Sequence, residues 1–167
     1  MLLIVDGYNL AKSGAVPLSR DAATEEGREE LCALLSGYAR AKRFRLTVVF
    51  DGRGSGSAGR NRAAFKGGTA LFSSRAETAD DVIRDLARDA PSGTVVVTSD
   101  RGLARTLPAR NVTVVTCGEL ADRLFSLQLE EIKGTADEEP ARRPDKRGEG
   151  HKAKKRDRGR GQILKKL

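Results

Sequence analysis

Three aspartates follow hydrophobic segments of the sequence in the same way. Asp6 ends the segment LLIVD, Asp51 ends LTVVFD and Asp100 ends VVVTSD. The carboxyl ends of the strands in an open parallel sheet lie at one edge, so we expect the three carboxylates to converge there. Asp80, near the start of a predicted helix, can join them. Carboxylates held close together repel one another unless a cation neutralises them, so this pattern predicts a metal site.

The chemistry of such a site follows from its ligands. Oxygen ligands alone favour hard divalent cations, chiefly Mg²⁺ or Mn²⁺. A cation of this kind, held by a few carboxylates, is suited to phosphodiester hydrolysis. Asn9, just beyond Asp6, can position a water or a phosphate, and Ser99 can hydrogen-bond the Asp100 carboxylate or the substrate backbone. Asp81 is an additional candidate ligand, although carboxylates are common in the first turn of a helix.

Alternating strands and helices must position these residues. Apolar segments predict strands at residues 2–5, 46–50, 69–72, 94–98 and 112–116, and helical spacing predicts helices over about 23–43, 77–90, 103–107 and 119–132. Short connections between them imply an α/β fold of three layers with a parallel central sheet. The predicted core includes three residues of the first strand and four of the last helix: Leu3, Ile4, Val5, Leu120, Leu124, Phe125 and Leu127.

The net charge of +8 is concentrated at the C-terminal end of the chain. Residues 134–167 contain 12 Lys and Arg against 6 Asp and Glu, whereas residues 1–133 contain 19 against 17. The C-terminal segment has no apolar stripe and is rich in Gly, Pro and charge. We therefore expect a folded domain over 1–133 and a disordered basic tail over 134–167. A basic arm attracts polyanions such as RNA or the ribosome, and a solubilising role is the alternative.

The segment after Asp51, GRGSGSAGRNR, has the composition of a mobile loop. Cationic side chains in and near this segment, and one beside Asp100, are candidates for contacts with RNA phosphates. Tyr8 can stack on a base or pack against an adjacent helix. The complete set of predicted RNA-binding residues is Tyr8, Arg53, Arg60, Arg62, Lys66 and Arg101.

Several other functions are disfavoured. Gly54, Gly56 and Gly59 form a G-x-G-x-x-G pattern, but no clear amphipathic helix follows it, so we expect no nucleotide cofactor. Tyr8 stands where a phosphatase of the haloacid dehalogenase type has its second acid. His151, the only histidine, lies in the tail, which leaves the predicted domain without a histidine for acid–base catalysis. The spacing of the two cysteines and the lack of a long apolar segment predict a cytoplasmic protein without a membrane span.

Four short motifs also resemble a known family. DGYN at 6–9, FDG at 50–52, ETADD at 77–81 and TSD at 98–100 resemble, in order, the motifs of the YacP-like branch of the NYN domains, which are similar to PIN nucleases. The resemblance covers roughly residues 1–132. It implies a PIN-like three-layer α/β/α fold with a central parallel sheet of about four to five strands. It also implies a divalent-metal site and endoribonuclease activity.

The resemblance assigns roles to individual residues. Asp6, Asp80 and Asp100 correspond to metal-binding acids, and Asn9 to the polar partner of the first acid. Asp51 is an additional acidic member, and Glu77 has a supporting role behind the ligands. The leading hypothesis is a metal-dependent endoribonuclease that cuts single-stranded RNA, including ribosome-associated mRNA. A non-catalytic RNA- or ribosome-binding module and a structure-specific DNA nuclease are the alternatives.

Overall fold

The computed structural model describes residues 1–52 and 58–136. Along the chain the elements are β1 (Leu2–Asp6), α1 (Gly7–Lys12), α2 (Glu25–Ala41), β2 (Arg45–Phe50), β3 (Asn61–Phe65), β4 (Gly68–Phe72), α3 (Ala79–Arg88), β5 (Thr94–Val97), α4 (Arg101–Thr106), β6 (Val112–Val115) and α5 (Cys117–Ala136). None of the helices in this part of the chain is long and apolar enough to cross a membrane.

The strands form one sheet with the order β3-β4-β2-β1-β5-β6. All neighbours in this sheet are parallel except β3 and β4, which are antiparallel. The predicted α/β class and the parallel sheet of four to five strands are confirmed, since β4, β2, β1, β5 and β6 are parallel, and the structure adds β3 as an antiparallel sixth strand. The strand that was missed, β3, begins at the end of the segment interpreted as a loop, residues 52–62, and continues into residues for which no element was predicted. It has no alternating apolar pattern because it is an edge strand whose side chains are mostly exposed.

Helices cover both faces of the sheet, as the three-layer prediction requires. One hydrophobic core joins α1, α2 and α5 to residues such as Leu3 and Val5, and a second joins α3 and α4 to Ile4 and Val49. Successive residues of β1 therefore point to opposite cores. The predicted burial of Leu3, Ile4 and Val5 is confirmed, since all three are fully buried.

The last helix differs from the prediction in two ways. It continues to Ala136, so the expected domain boundary after residue 133 falls within α5. Leu120 and Leu124 are buried as predicted and Leu127 is partly buried, but Phe125 is 62% exposed, and its assignment to the core was wrong. Phe125 follows Leu124 directly, and successive residues of a helix point about 100° apart, which here turns the Phe125 ring toward solvent. Residues 134–136 of the predicted tail belong to α5, and the rest of it, residues 137–167, lies outside the described residues.

The connectivity creates a crevice at the carboxyl edge of the sheet. From β1 the chain moves to β2 on one side, and later returns to β5 on the other side of β1. Ligands of open α/β sheets bind at such a switch point, outside the carboxyl ends of the strands. Asp6 lies at this point and Asp100 begins the connection that leaves the neighbouring strand, so the fold brings together the ends that the sequence singled out.

Candidate active site

Asp6 is the most buried acid of the candidate site. It ends β1 and caps the N-terminus of α1, where its Oδ1 accepts a hydrogen bond of 3.2 Å from the backbone N–H of Asn9. Its Oδ2 accepts a bond of 3.3 Å from the hydroxyl of Thr98. The next residue, Gly7, lies against the ring of Phe50, which leaves no room for a Cβ atom. The sharp change from strand to helix therefore holds this carboxylate in one place.

The surroundings of Asp6 oppose its ionisation. Burial raises the pKa of Asp6 from 3.8 to about 6, and the negative charges of Asp80 and Asp100 add to the rise, while the bonds from Asn9 and Thr98 lower it. Asp80 and Asp100 therefore lie within electrostatic reach of Asp6. A bound cation would favour the charged form of such a carboxylate.

Asp100 is held by the helix that follows it. It caps the N-terminus of α4, and its Oδ1 accepts bonds from the backbone N–H groups of Gly102 at 2.6 Å and Leu103 at 3.0 Å. Its own backbone N–H donates to the Thr98 hydroxyl at 3.1 Å. Unlike Asp6, Asp100 is exposed, so it can meet a ligand from solvent.

Thr98 connects the two acids. Its hydroxyl donates to Asp6 and accepts from the backbone of Asp100, and the side chain is 1% exposed. Sequence reasoning treated Thr98 only as the end of an apolar strand and as part of the TSD motif. The signal that could have found it is its position: a hydroxyl residue at a strand end, on the strand beside Asp6.

Asp80 and Asp81 begin α3 and have different surroundings. Burial raises the pKa of Asp80, the nearby Arg84 lowers it, and Asp100, Asp81 and Asp51 raise it further. Asp81 forms a capping box with Thr78 and an ion pair of 2.7 Å with Arg84. The capping bonds, more than Arg84, lower the pKa of Asp81. Asp80 thus shares the electrostatics of the acidic cluster, while Asp81 has a structural role at the start of the helix.

Arg84 is a cation that the sequence interpretation did not consider. It lies one turn after Asp80, and its Nη2 is 3.5 Å from the Asp80 Oδ2. Its Nε also donates to the hydroxyl of Thr106 at 3.1 Å, which joins α3 to the end of α4. Arg84 therefore contributes positive charge at one margin of the cluster.

Asp51 directly follows β2 and lies within electrostatic reach of Asp80. Its Oδ1 accepts a bond of 3.3 Å from the hydroxyl of Ser73, which in turn accepts from the backbone N–H of Gly52 at 2.9 Å. The charge of Asp51 contributes to the raised pKa of Asp80. Gly52 lies so close to the Ser73 carbonyl that a Cβ atom would collide with it. This close approach joins the ends of β2 and β4 at the acidic edge.

Asn9 and Ser99 form a network behind the acids. The Oδ1 of Asn9 accepts bonds from the Ser99 backbone N–H at 2.7 Å and from the Cys117 thiol at 3.2 Å. The hydroxyl of Ser99, which was expected near the Asp100 carboxylate, accepts instead from the Cys117 backbone at 3.1 Å. These bonds join α1, the β5–α4 connection and the start of α5. In this structure Ser99 therefore positions helices around the site.

Arg60, one of the predicted phosphate-binding residues, is paired with two carboxylates. Arg60 makes a two-point contact with Glu77, with a shortest distance of 2.6 Å, and a second ion pair of 2.5 Å with Asp85. The bonds from Arg60 are the main reason that the pKa of Glu77 falls to about 2. Glu77 also accepts from the backbone of Ser74 at 3.0 Å. The ion pairs of Arg60 with Glu77 and Asp85 fasten the start of β3 to α3.

The remaining cations are dispersed. Arg62 is exposed on β3, and Arg101 is exposed next to Asp100. Lys66 follows the end of β3 that pairs with Gly68, and Gly68 in turn pairs with Leu46 at the start of β2. It therefore lies at the opposite edge of the sheet from Asp51. Arg53 is outside the described residues.

Tyr8 lies in α1, two residues after Asp6. Its ring contacts that of Phe50 edge to face, at 5.3 Å between centroids, and Arg28 lies 3.5 Å from its hydroxyl. The Nζ of Lys12 is 6.0 Å from the centre of the ring. The side chain is only partly buried, so packing against its neighbours leaves part of its ring accessible.

Comparison with known proteins identifies the family of the chain. The model of the YacP-like NYN domain matches residues 3–165. The chain belongs to this family. The family match extends beyond the 1–132 range covered by the four motifs and includes most of the basic C-terminal segment.

Two solved structures of YacP resemble the fold. The crystal structure of a mutant of Rae1 (YacP) from Bacillus subtilis is 25% identical in sequence, with a TM-score of 0.63, and the match covers 82% of this chain and 85% of that one. A second crystal structure of Rae1 (YacP) from Bacillus subtilis has a TM-score of 0.54 at 24% identity, covering 81% and 83%. No curated protein matches the chain.

Membership of the family sets the coarse chemistry. NYN domains are PIN-like nucleases that act on RNA, and they generally use a divalent metal. In residues 1–52 and 58–136, no group of three or more His, Cys, Asp or Glu side chains lies close enough to form a ready metal site. The donors nevertheless suit Mg²⁺ or Mn²⁺, because they are carboxylates and such cations keep several waters while binding one or two protein oxygens.

Proposed function

We propose that this protein is a divalent-metal-dependent endoribonuclease that hydrolyses phosphodiester bonds in single-stranded RNA. The observation that carries the proposal is the position of Asp6 and Asp100 at the switch point of the sheet, where the Thr98 hydroxyl bonds to both. The charge of Asp80 lies within reach of this pair. These acids come from β1, α3 and the end of β5, which no local structural requirement would bring together. Membership of the YacP-like NYN family supports the same chemistry.

Asp6, Asp80 and Asp100 would hold Mg²⁺ or Mn²⁺. When bound, the cation supplies charge neutralisation for the phosphate and favours deprotonation of the attacking water. The two fixed oxygens of Asp6 and the capped Oδ1 of Asp100 need little reorganisation, because hydrogen bonds already hold them. Preorganised groups of this kind lower the cost of reaching the transition state.

Other side chains would orient the substrate and the water. The Oδ1 of Asn9 is engaged by Ser99 and Cys117, so the Nδ2 group is the end that can donate to a water or a phosphate oxygen. Asp51, next to the cluster, can accept a proton or a hydrogen bond from a water. The described residues, like all of residues 1–136, contain no histidine. This composition favours carboxylate chemistry over a mechanism that uses histidine as acid and base.

The partners follow from the charge. We infer that the basic C-terminal segment binds RNA, including ribosomal RNA, because its excess of cations favours polyanions. The site would thereby act on ribosome-associated mRNA as well as on free RNA. Cys32 and Cys117 are both buried and free, which is consistent with a reduced, cytoplasmic setting.

Cleavage of a labelled single-stranded RNA by purified protein tests the proposal. We expect cleavage with Mg²⁺ or Mn²⁺, none with EDTA, and none by the Asp100→Asn variant. Asp89→Asn is the matched control, because Asp89 is exposed at the C-terminal end of α3, away from the acids. Undiminished cleavage by Asp100→Asn would contradict the proposal. Equal cleavage of DNA with the same sequence would contradict the preference for RNA.

A non-catalytic RNA- or ribosome-binding module is the second candidate. The observation that favours it is the lack of a ready metal site in the described part of the chain. Deletion of residues 137–167 separates the two readings, since α5 ends at Ala136. The truncated protein should still cut if the cluster is catalytic. If it neither cuts nor binds while the full chain binds without cutting, the module is the better account.

A further inference from the structure

A groove opens beside the acidic cluster, between α2 and the β3–β4 hairpin. We name it the α2–β4 groove, and it has a volume of about 960 Å³. Ala70 and Phe72 of β4 form part of its floor, and Cys32 and Ala33 of α2 form part of one wall. Volumes of about 300–1,000 Å³ are usual for sites that bind small organic groups.

The groove is continuous with the acidic site. Tyr8 and Asp51 line it and also belong to the candidate active site. Phe72 pairs with Phe50 on one side and with Asn61 on the other, so these residues lie at the level where β2 ends in Asp51. A group inserted at this end of the groove would therefore lie beside a phosphate bound by the acids.

Aromatic rings form the end of the groove that is nearest to the acidic cluster. The rings of Phe50 and Phe72 are stacked, with 5.5 Å between centroids and an angle of 23°, and Tyr8 meets Phe50 edge to face. Phe50 is fully buried, whereas Phe72 and Tyr8 are only partly buried. These two rings therefore offer accessible aromatic surface. Stacking on such surface is the usual means by which proteins bind unpaired bases.

The charges in the groove distinguish a base from a phosphate. Glu25, Glu29 and Asp51 line it, and their carboxylates would repel a phosphate group. They can, however, accept hydrogen bonds from the amino groups of a base. Lys66 also lines it, at the end away from Asp51. Arg28 lies over the Phe72 ring at 5.8 Å and also reaches the Tyr8 hydroxyl, so a cation stands at the aromatic end. This arrangement suits a planar, uncharged ring with polar edges.

We infer that the α2–β4 groove is a nucleobase subsite that receives an unpaired base next to the phosphate held at the acidic cluster. This inference rests on the proposed function, because it identifies the occupant as part of the RNA substrate. It adds a physical reason for a preference for single strands, since a base paired in a duplex cannot enter the groove. The carboxylates of Glu25 and Glu29 favour bases that carry an amino group, namely adenine, cytosine and guanine, over uracil.

Blocking variants test the subsite. Ala33 is exposed on α2 and Ala64 is exposed on β3, and both line the groove, so Ala33→Phe and Ala64→Phe should fill it from opposite walls. Ala109→Phe is the matched control, at an exposed position between α4 and β6. Thermal unfolding of each variant should match the parent, which shows that a loss of binding is not a loss of fold.

Binding is measured by fluorescence anisotropy with a short labelled single-stranded RNA in EDTA, so that no cleavage occurs. The same RNA with an abasic residue placed at each position in turn is the second probe. We expect each blocking variant to weaken binding of the intact RNA by roughly 5- to 100-fold, the range that one stacked base contributes. The abasic RNA should bind the parent more weakly but show little further loss in Ala33→Phe.

The outcomes separate this inference from the proposed nuclease. Equal binding of intact and abasic RNA by the parent would overturn the subsite even if the protein cuts RNA. Unchanged RNA binding by both blocking variants would also overturn the subsite. If the oligomeric state of these variants changes at the same time, the groove is instead an interface between copies of this chain. Base-dependent binding lost in both variants would support the subsite, even if a cleavage assay failed.

Discussion

Replacing Asp6 with asparagine should stabilise the metal-free protein and abolish cleavage. A pKa raised from 3.8 to about 6 means that the fold disfavours the charged form of Asp6. Such a shift corresponds to about 3 kcal/mol of unfolding free energy lost at neutral pH. Asparagine carries no charge and is also a favourable N-cap residue, so it can keep the bond from the Asn9 backbone.

The net gain is smaller than the full electrostatic effect. The Thr98 hydroxyl donates to the Oδ2 of Asp6, and an amide nitrogen at that place cannot accept this bond. We therefore expect a stabilisation of about 1–2 kcal/mol above pH 6. For a protein of this length, each kcal/mol corresponds to about 2–4 °C in Tm.

The pH dependence gives the sign of the effect. The folded protein binds the Asp6 proton more tightly than the unfolded chain, so the parent loses stability as the pH rises from 3.8 to about 6. Asp6→Asn should match or fall slightly below the parent under pH 3.8 and gain its advantage across that window. Urea denaturation in EDTA at about pH 4 and about pH 8 measures the difference. Mg²⁺ or Mn²⁺ should then stabilise the parent more than the variant.

Two results would refute this reasoning. One is a destabilised Asp6→Asn variant at about pH 8 in EDTA, which would show that ionised Asp6 is favoured by the fold. The other is a shift in stability of the same size at both pH values, which would assign the effect to packing. Asp89→Asn, at an exposed position, should show no comparable change with pH.

Three further predictions concern the contacts around the site. Thr98→Val removes the hydroxyl between Asp6 and Asp100, so it should lower the free energy of unfolding by about 1–3 kcal/mol in urea denaturation and slow cleavage. Thr98→Ser should restore both the stability and the cleavage rate. A Thr98→Val variant with unchanged stability and cleavage would contradict the bridging role. Arg60→Met should lower the global stability by about 1 kcal/mol or less, because its ion pairs are partly exposed to solvent. The backbone amide hydrogens of β3 should exchange with solvent faster in this variant than in the parent. Unchanged exchange would show that Arg60 does not fasten the strand. Phe125→Ser should change stability by about 0.5 kcal/mol or less, whereas Leu120→Ala should cost about 2–5 kcal/mol, and a large loss from Phe125→Ser would place its ring in a contact.

The fold was predictable where local pattern and tertiary structure agree. The apolar segments that lead to Asp6 and Asp51 form β1 and β2, and the segment TVVVT contains β5. These strands were predictable because strands covered on both faces have continuous hydrophobic sequences. The same pattern could not reveal β3, an edge strand whose position depends on pairing with β4 and on the ion pairs of Arg60. Phe125 was misplaced for a different reason, since hydrophobicity alone does not give the orientation of a side chain on a helix.

The site shows a similar division. Strand ends fix where Asp6 and Asp51 lie, so parallel topology alone predicts their approach. The roles of Thr98 and Arg84 depend on contacts between distant segments, such as the bond from Thr98 to Asp6, which no local motif specifies. Arg60 was expected at phosphates because its charge was visible in the sequence, whereas its partners Glu77 and Asp85 become apparent only in three dimensions.

A titration with Mn²⁺, in which cation binding and RNA cleavage are followed in the same preparation, tests the central claim most directly. The account predicts that cleavage rises over the concentration range in which Mn²⁺ binds, and that Asp80→Asn weakens both while Asp89→Asn changes neither. Binding of Mn²⁺ by Asp80→Asn with the parent's affinity, accompanied by undiminished cleavage, would contradict it.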